Sequence, residues 1–247
     1  MKIRVFDSKT EMGIAAAQNA SSIIRQKIDN QGLARIVLAT GVSQFEMLEA
    51  LVKEPIDWSK TTVFHLDEYI SLPATHPASF RRYLRDRFVD RVAGLADFHA
   101  IDGEAADAAA ECRRLAALLQ AAPIDLACIG IGENGHLAFN DPPADFDCKE
   151  PFIIVDLDDA CRRQQVGEGW FKSLNSVPSR AISMSIPWIM RCQTLVCTVP
   201  DERKAPALQA TVEGPITPMV PASILQKHGD CRLFIDRPAA SLLKRCP

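Results

Sequence analysis

One short stretch carries most of the residues able to do chemistry: Gly130-Ile131-Gly132-Glu133-Asn134-Gly135-His136-Leu137-Ala138-Phe139-Asn140-Asp141-Pro142-Pro143. Its three glycines allow a tight turn and a close backbone approach to a ligand. An imidazole handles protons near neutral pH. It needs a neighbour that fixes its tautomer and stabilises its cation, and Asp141, five positions beyond His136, is the candidate. The bland alternative for His136 is a satisfied core histidine. The glycine-rich context favours function.

The elements that must position this stretch read as an alternation of strands and helices. Residues 124–129 are an apolar run leading straight into the glycines, as a buried strand would. Further strands are expected at 3–6, 34–39, 61–66, 152–155, 180–186, 194–199 and 231–235. Helices are expected at 8–29 with Ser8 as N-cap, from Phe45 through Leu51, and at 79–92, 104–121, 201–212 and 221–227. Residues 73–77 read as a loop, and the stretch up to 171 as irregular or helical. No internal repeat, low-complexity tract or long linker interrupts the pattern. The fold class implied over residues 1–247 is α/β: a single domain, a three-layer αβα sandwich around a mainly parallel, Rossmann-like sheet. Sites in such sheets gather beyond the carboxyl ends of the strands. That rule selects Thr40-Gly41, Asp67-Glu68 and the segment from Gly130 to His136, and predicts that the three converge.

The glycines also satisfy G-x-G-x-x-G, the dinucleotide fingerprint, with Asp156 near the expected acidic position. That fingerprint needs a helix starting at its last glycine. Phe139-Asn140-Asp141-Pro142-Pro143 would break such a helix within about two turns. The nucleotide reading is set aside.

Several segments, in order along nearly the whole chain, resemble the glucosamine-6-phosphate deaminase/isomerase family, which is related in fold to the 6-phosphogluconolactonases. The family's phosphate turn resembles Ala39-Thr40-Gly41-Val42-Ser43, and its aspartate-glutamate-tyrosine motif resembles Leu66-Asp67-Glu68-Tyr69, followed by His76-Pro77 and Ser79-Phe80. Its glycine-histidine motif resembles residues 135–142, and its late lysine helix resembles Arg203-Lys204-Ala205 with residues 208–214. Leu137-Ala138-Phe139-Asn140-Asp141 is the deaminase type of continuation, where lactonases typically carry alanine, serine, leucine, phenylalanine and proline.

The resemblance implies an amino-sugar phosphate substrate, with His136 serving ring opening, Asp67 the proton shuttle between C2 and C1, and Asp141 the relay to His136. Asn134 stands where the family has aspartate or, in some members, asparagine; it can orient by hydrogen bond but cannot share charge. The 6-phosphate is expected on the N–H groups of Thr40, Gly41, Val42 and Ser43, with Lys204 as the phosphate lysine and Arg163, or Arg162 beside it, as the phosphate arginine. No redox change occurs, so neither cofactor nor metal is expected. Two departures stand out. Asp141 replaces a glutamate and is one methylene shorter, and Val42 and Gln44 stand where a small or hydroxyl residue and a proline are usual. The segments that carry an allosteric site in some relatives have no recognisable match, so effector control by an amino sugar is not expected. The alternatives carried forward are lactone hydrolysis and sugar-phosphate binding without turnover.

Other residues read more plainly. Glu68 is expected to be structural, and His65 either a partner of the site or core. The arginines of the 79–92 helix interleave with Asp86 and Asp90, which favours a solvated, salt-bridged face over an anion site. The net charge of −3 gives no support to a nucleic-acid surface, and no apolar run approaches the roughly 18 residues of a membrane span. The first residues enter a strand-like pattern without a signal-peptide core. Eight cysteines contain no C-x-x-C pair and sit beside no histidine cluster, so they read as buried free thiols of a reducing compartment. The expectation is a cytoplasmic enzyme acting on a small phosphorylated sugar, compatible with homo-oligomer assembly.

Overall fold

In the computed structural model, which describes residues 1–244, β1 (Lys2–Phe6) leads into α1 (Lys9–Gln31), whose first turn is closed by the Ser8 side chain accepting from the Glu11 N–H. Then come β2 (Ala34–Leu38), α2 (Phe45–Leu51), β3 (Thr61–His65), β4 (Asp67–Tyr69), α3 (Phe80–Arg87), β5 (Asp97–His99) and α4 (Ala108–Gln120). The second half runs β6 (Leu126–Ile129), β7 (Phe152–Asp156), α5 (Asp159–Gly167), β8 (Arg180–Met184), α6 (Ile186–Ile189), β9 (Thr194–Val199), α7 (Ala205–Glu213) and β10 (Cys231–Asp236).

Seven strands pair in the order β1-β10-β9-β6-β2-β3-β5, every neighbouring pair parallel. The central strands β2, β6 and β9 are buried at every residue because helices cover both faces. Alternation along β9 shows the two layers. Leu195, Cys197 and Val199 join Leu115 and Leu119 of α4 and Leu208 of α7 in one core. Val196 points the other way, to the core under α1 and α2 with Ala16, Ile24 and Leu48. Each such leucine, isoleucine or valine side chain contributes about 1.5–3 kcal/mol by leaving water. The expected αβα sandwich is therefore the architecture. After β2 the chain moves outward to β3 and β5; after β6, on the other side of β2, it moves the opposite way to β9 and β10. The crevice between the carboxyl ends of β2 and β6 is the switch point where such folds bind ligands.

The structure departs from the sequence reading at several places. The strands expected at 152–155 and 180–186 do not enter the main sheet. With β4 they form a second, antiparallel sheet in the order β4-β8-β7, with Asp67 opposite Ser183. Only Leu66 separates β3 from β4, and its carbonyl accepts from the Met184 N–H at 2.7 Å, so the chain changes sheets at this point. The short edge strand β5 was not foreseen. Helix α4 starts at Ala108 rather than 104 because Asp107 caps it, accepting from the Ala109 and Ala110 N–H groups. Helix α3 ends at Arg87, where Phe88 leaves helical geometry and a 3-10 turn follows through Arg91. Residues 221–227 are 3-10 rather than α-helical.

The arginine-rich helix is also not uniformly solvated. Arg82 does pair with Asp86 across one helical turn, but Arg81 is buried, bound to Glu68, Asp102, Glu104 and the Leu72 carbonyl. Seven described cysteines are unpaired, six of them buried; Cys148 is partly exposed, and Cys246 lies outside the described residues. No described helix is long and apolar enough to cross a membrane.

Candidate active site

The three segments selected by the strand-end rule do converge. The ends of β2, β3 and β6 bring residues 39–43, Leu66-Asp67 and Gly130-Ile131-Gly132 together around one cleft, which His136 and Lys204 also line. The turn after β2 is made by Gly41 in the left-handed region (φ 93°), followed by a 3-10 turn over Val42–Gln44 that continues into α2. Tyr83 of α3 donates its hydroxyl to the Gly41 carbonyl at 2.8 Å. Gln44, fully buried, donates to the Ile129 carbonyl (3.2 Å) and to Thr198 Oγ1 (2.8 Å), and Thr198 Oγ1 donates to the Ser43 carbonyl (3.1 Å). Gln44 thus ties the turn to β6 and β9. Gly130 is kept small by this arrangement, since a Cβ there would lie 2.8 Å from Ser43 Oγ. Val42 lines the cleft with its neighbours.

His136 sits on bare backbone. A Cβ on Gly132 would fall 2.3–2.4 Å from three atoms of the imidazole, so only glycine lets the ring lie where it does. The loop closes on itself, with the Gly132 N–H donating to the His136 carbonyl at 3.0 Å and Gly135 in the left-handed region (φ 84°). Asn134 orients two partners at once. Its amide donates to Asp141 Oδ1 (3.0 Å) and its Oδ1 accepts from the His136 N–H (3.0 Å). Asp141 Oδ1 lies 3.2 Å from His136 Nδ1, within ion-pair reach, but the alignment leaves Nδ1 without a hydrogen bond. The shorter side chain reaches the ring and does not aim at it. Burial tends to raise the Asp141 carboxyl, yet the neighbouring His136, with Asn134 and Cys161, holds it below the usual range. Asn140, buried, donates to the Leu137 and Met184 carbonyls and fixes the loop to β8.

Asp67 opens β4 and lines the cleft, 6% exposed. Burial and the adjacent Glu68 push its carboxyl well above the ordinary value. It is a strand residue and caps no helix. Glu68 points the other way and is structural. It accepts from the N–H groups of Tyr69, Phe80 and Arg81, from Ser79 Oγ and from Arg81 Nε, and so pins the N-terminus of α3. His65 belongs to the core. Its Nε2 accepts from the Ile101 N–H at 2.7 Å, and burial pushes its pKa down to about 3.

Lys204 is 4% exposed and lines the same cleft; burial lowers its pKa, with Glu168 and Glu133 opposing that fall. Arg163 is not part of the site. Its side chain is 70% exposed and pairs only with Asp159, at 3.8 Å. Arg162 is inward but spends its guanidinium on the Leu174 and Val177 carbonyls. The helical period turns Arg163 outward: Cys161, Gln164, Gln165 and Glu168 share the inner face of the α5 segment, and the last three line the cleft. Glu168 is held there by Gln164 Nε2 (2.8 Å) and Trp170 Nε1 (3.1 Å). These residues had no signal in the sequence, because a short helix following a loop offers no strand end to point at its inner face.

The sequence and the fold have counterparts of known kind. The family model described as glucosamine-6-phosphate isomerases/6-phosphogluconolactonase matches residues 7–233. A glucosamine-6-phosphate deaminase of Listeria monocytogenes is 36% identical over 234 residues, covering 95% of this chain and 98% of its own. That of Lactobacillus delbrueckii subsp. bulgaricus is 35% identical over 244 residues, covering 99% and 100%. Among solved structures, a monomeric glucosamine-6-phosphate deaminase superposes with a TM-score of 0.89 at 31% identity, over 98% of this chain and 100% of that one. The 6-phosphogluconolactonase from Trypanosoma brucei (TM-score 0.76, 16% identity, 97% of each chain) shares the fold alone. Matched from residue 7 to residue 233, the chain belongs to the glucosamine-6-phosphate isomerase/6-phosphogluconolactonase family.

Proposed function

We propose that the protein is a cofactor-independent deaminase/isomerase that converts an amino-sugar 6-phosphate, foremost glucosamine-6-phosphate, with water into the ketose 6-phosphate and ammonia. The observation that carries this reading is the convergence, in one cleft, of Asp67, the His136–Asp141 pair, the Thr40–Ser43 turn and Lys204. The phosphate rests on the N–H groups of the turn and on Lys204, whose buried ammonium gains most from a dianionic partner. His136 moves the proton that opens the pyranose ring. Asp67, as carboxylate, removes the proton from C2 and returns it to C1, which leaves an iminium at C2. Water adds there, and ammonia leaves. The ammonium group of the incoming substrate lowers the raised pKa of Asp67 and so delivers the base in its ionised form. Unpaired cysteines support a reducing, cytoplasmic setting.

Ammonia release measured on glucosamine-, galactosamine- and mannosamine-6-phosphate tests the reading. Turnover of at least one is expected, and silence on all three sinks the deaminase. Hydrolysis of a sugar-phosphate lactone has no use for Asp67, so lactonase activity that survives Asp67→Asn would assign the cleft to the other branch of the family.

A further inference from the structure

Beside the His136–Asp141 pair lies a thiol, Cys161, that the deaminase chemistry leaves unused. The ligating atoms of His136, Asp141 and Cys161 all lie within 4.8 Å of one another, the one such group of three among the described residues. The spacing 136–141–161 carries no metal signature. The glycine turn supplies two of the three, and the first turn of α5 supplies Cys161, whose N–H is held by Asp158 Oδ1 at 2.6 Å. Two further facts indicate spare coordinating capacity: His136 Nδ1 and Asp141 Oδ2 are both buried and have no hydrogen-bond partner. Asp141 is nine-tenths buried at the side chain, and Cys161 is 1% exposed.

We propose that His136 Nδ1, Asp141 and Cys161 Sγ form a binding site for a thiophilic divalent cation of the zinc type, and that its occupation switches the active site off. Nitrogen, oxygen and sulfur donors are the set such ions take, and three protein ligands leave a fourth tetrahedral position for water. The Nδ1–Oδ1 separation of 3.2 Å already approaches that between two tetrahedral ligands about 2.0–2.1 Å from the metal, and the thiol sulfur lies within 4.8 Å of both ligand atoms. Binding balances as M²⁺ plus neutral imidazole, carboxylate and thiol giving the complex and one released proton. Two anionic ligands then neutralise the ion inside a buried pocket. The metal takes the nitrogen and the carboxylate through which His136 is tuned, so turnover stops. This consequence rests on the deaminase reading; the binding itself does not.

Chelator-stripped full-length protein titrated with Co²⁺ as spectroscopic probe separates the two. One ion per chain with a thiolate-to-cobalt charge-transfer band is expected, and Cys161→Ser should abolish the band while the other cysteines remain. A band that persists in Cys161→Ser, or no stoichiometric binding, overturns the site. In the activity assay Zn²⁺ should inhibit the parent protein, and the concentration needed should rise at least about tenfold in Cys161→Ser and in Cys161→Ala, each read against that variant's own metal-free rate. Inhibition unchanged in both variants would likewise overturn it.

Discussion

Gly132→Ala isolates the positioning of the imidazole from every other part of the site. The added Cβ would stand 2.3 Å from His136 Cε1 and 2.4 Å from Nδ1 and Nε2, where unstrained heavy-atom contacts begin near 3.5 Å. The ring must therefore retreat by roughly 1 Å, and displacement of that order typically costs about 100-fold in rate, or about 2.7 kcal/mol in the barrier. Gly132 is not among the residues with positive φ, so alanine adds no backbone strain of its own. The turn over residues 39–43 follows another strand and is untouched. The expected result in an ammonia-release assay is kcat lower by about two orders of magnitude, KM changed little, and a native thermal transition. A kcat within about threefold of the parent would mean that the ring has no fixed catalytic position, and the reasoning built on its geometry would fail.

Two other predictions test the acid–base and anion sides of the cleft. Asp67→Asn should abolish turnover while sugar-phosphate binding persists, and it should also stabilise the fold. The native pKa of Asp67 is raised, so its favourable contribution is complete below the unfolded value near 3.8 and is lost as pH rises toward the native one, at about 1.4 kcal/mol per unit. Because asparagine does not titrate, the variant's advantage in Tm should grow with pH from about 4 upward; a pH-independent difference would refute the assignment. Lys204→Met should raise KM about 10- to 150-fold, the loss of a charge-assisted hydrogen bond worth about 1.5–3 kcal/mol, with kcat nearly intact. An unchanged KM would remove Lys204 from phosphate binding.

What the sequence determined by itself were the features that local rules encode. Apolar runs ending in glycine or in a carboxylate mark strands and their carboxyl ends, and parallel sheets gather sites at those ends. This was enough to bring Thr40, Asp67 and His136 to one cleft and to dismiss the nucleotide reading on the prolines alone. The tertiary structure decided whatever depends on segments far apart in the chain. The single residue Leu66 lets the chain leave the main sheet, so that Asp67 opens a small antiparallel sheet with Ser183 opposite it, a pairing that no local pattern records. The inner face of α5 is fixed only when the helix docks, which turned Arg163 to solvent and Glu168 to the cleft. Burial of Arg81 against Glu68 came from a distant loop carrying Asp102 and Glu104. The missing methylene of Asp141 could be read from the sequence as a departure. Its effect is a matter of angle: a carboxylate 3.2 Å from Nδ1 that does not point at it, beside a thiol that only folding brings near.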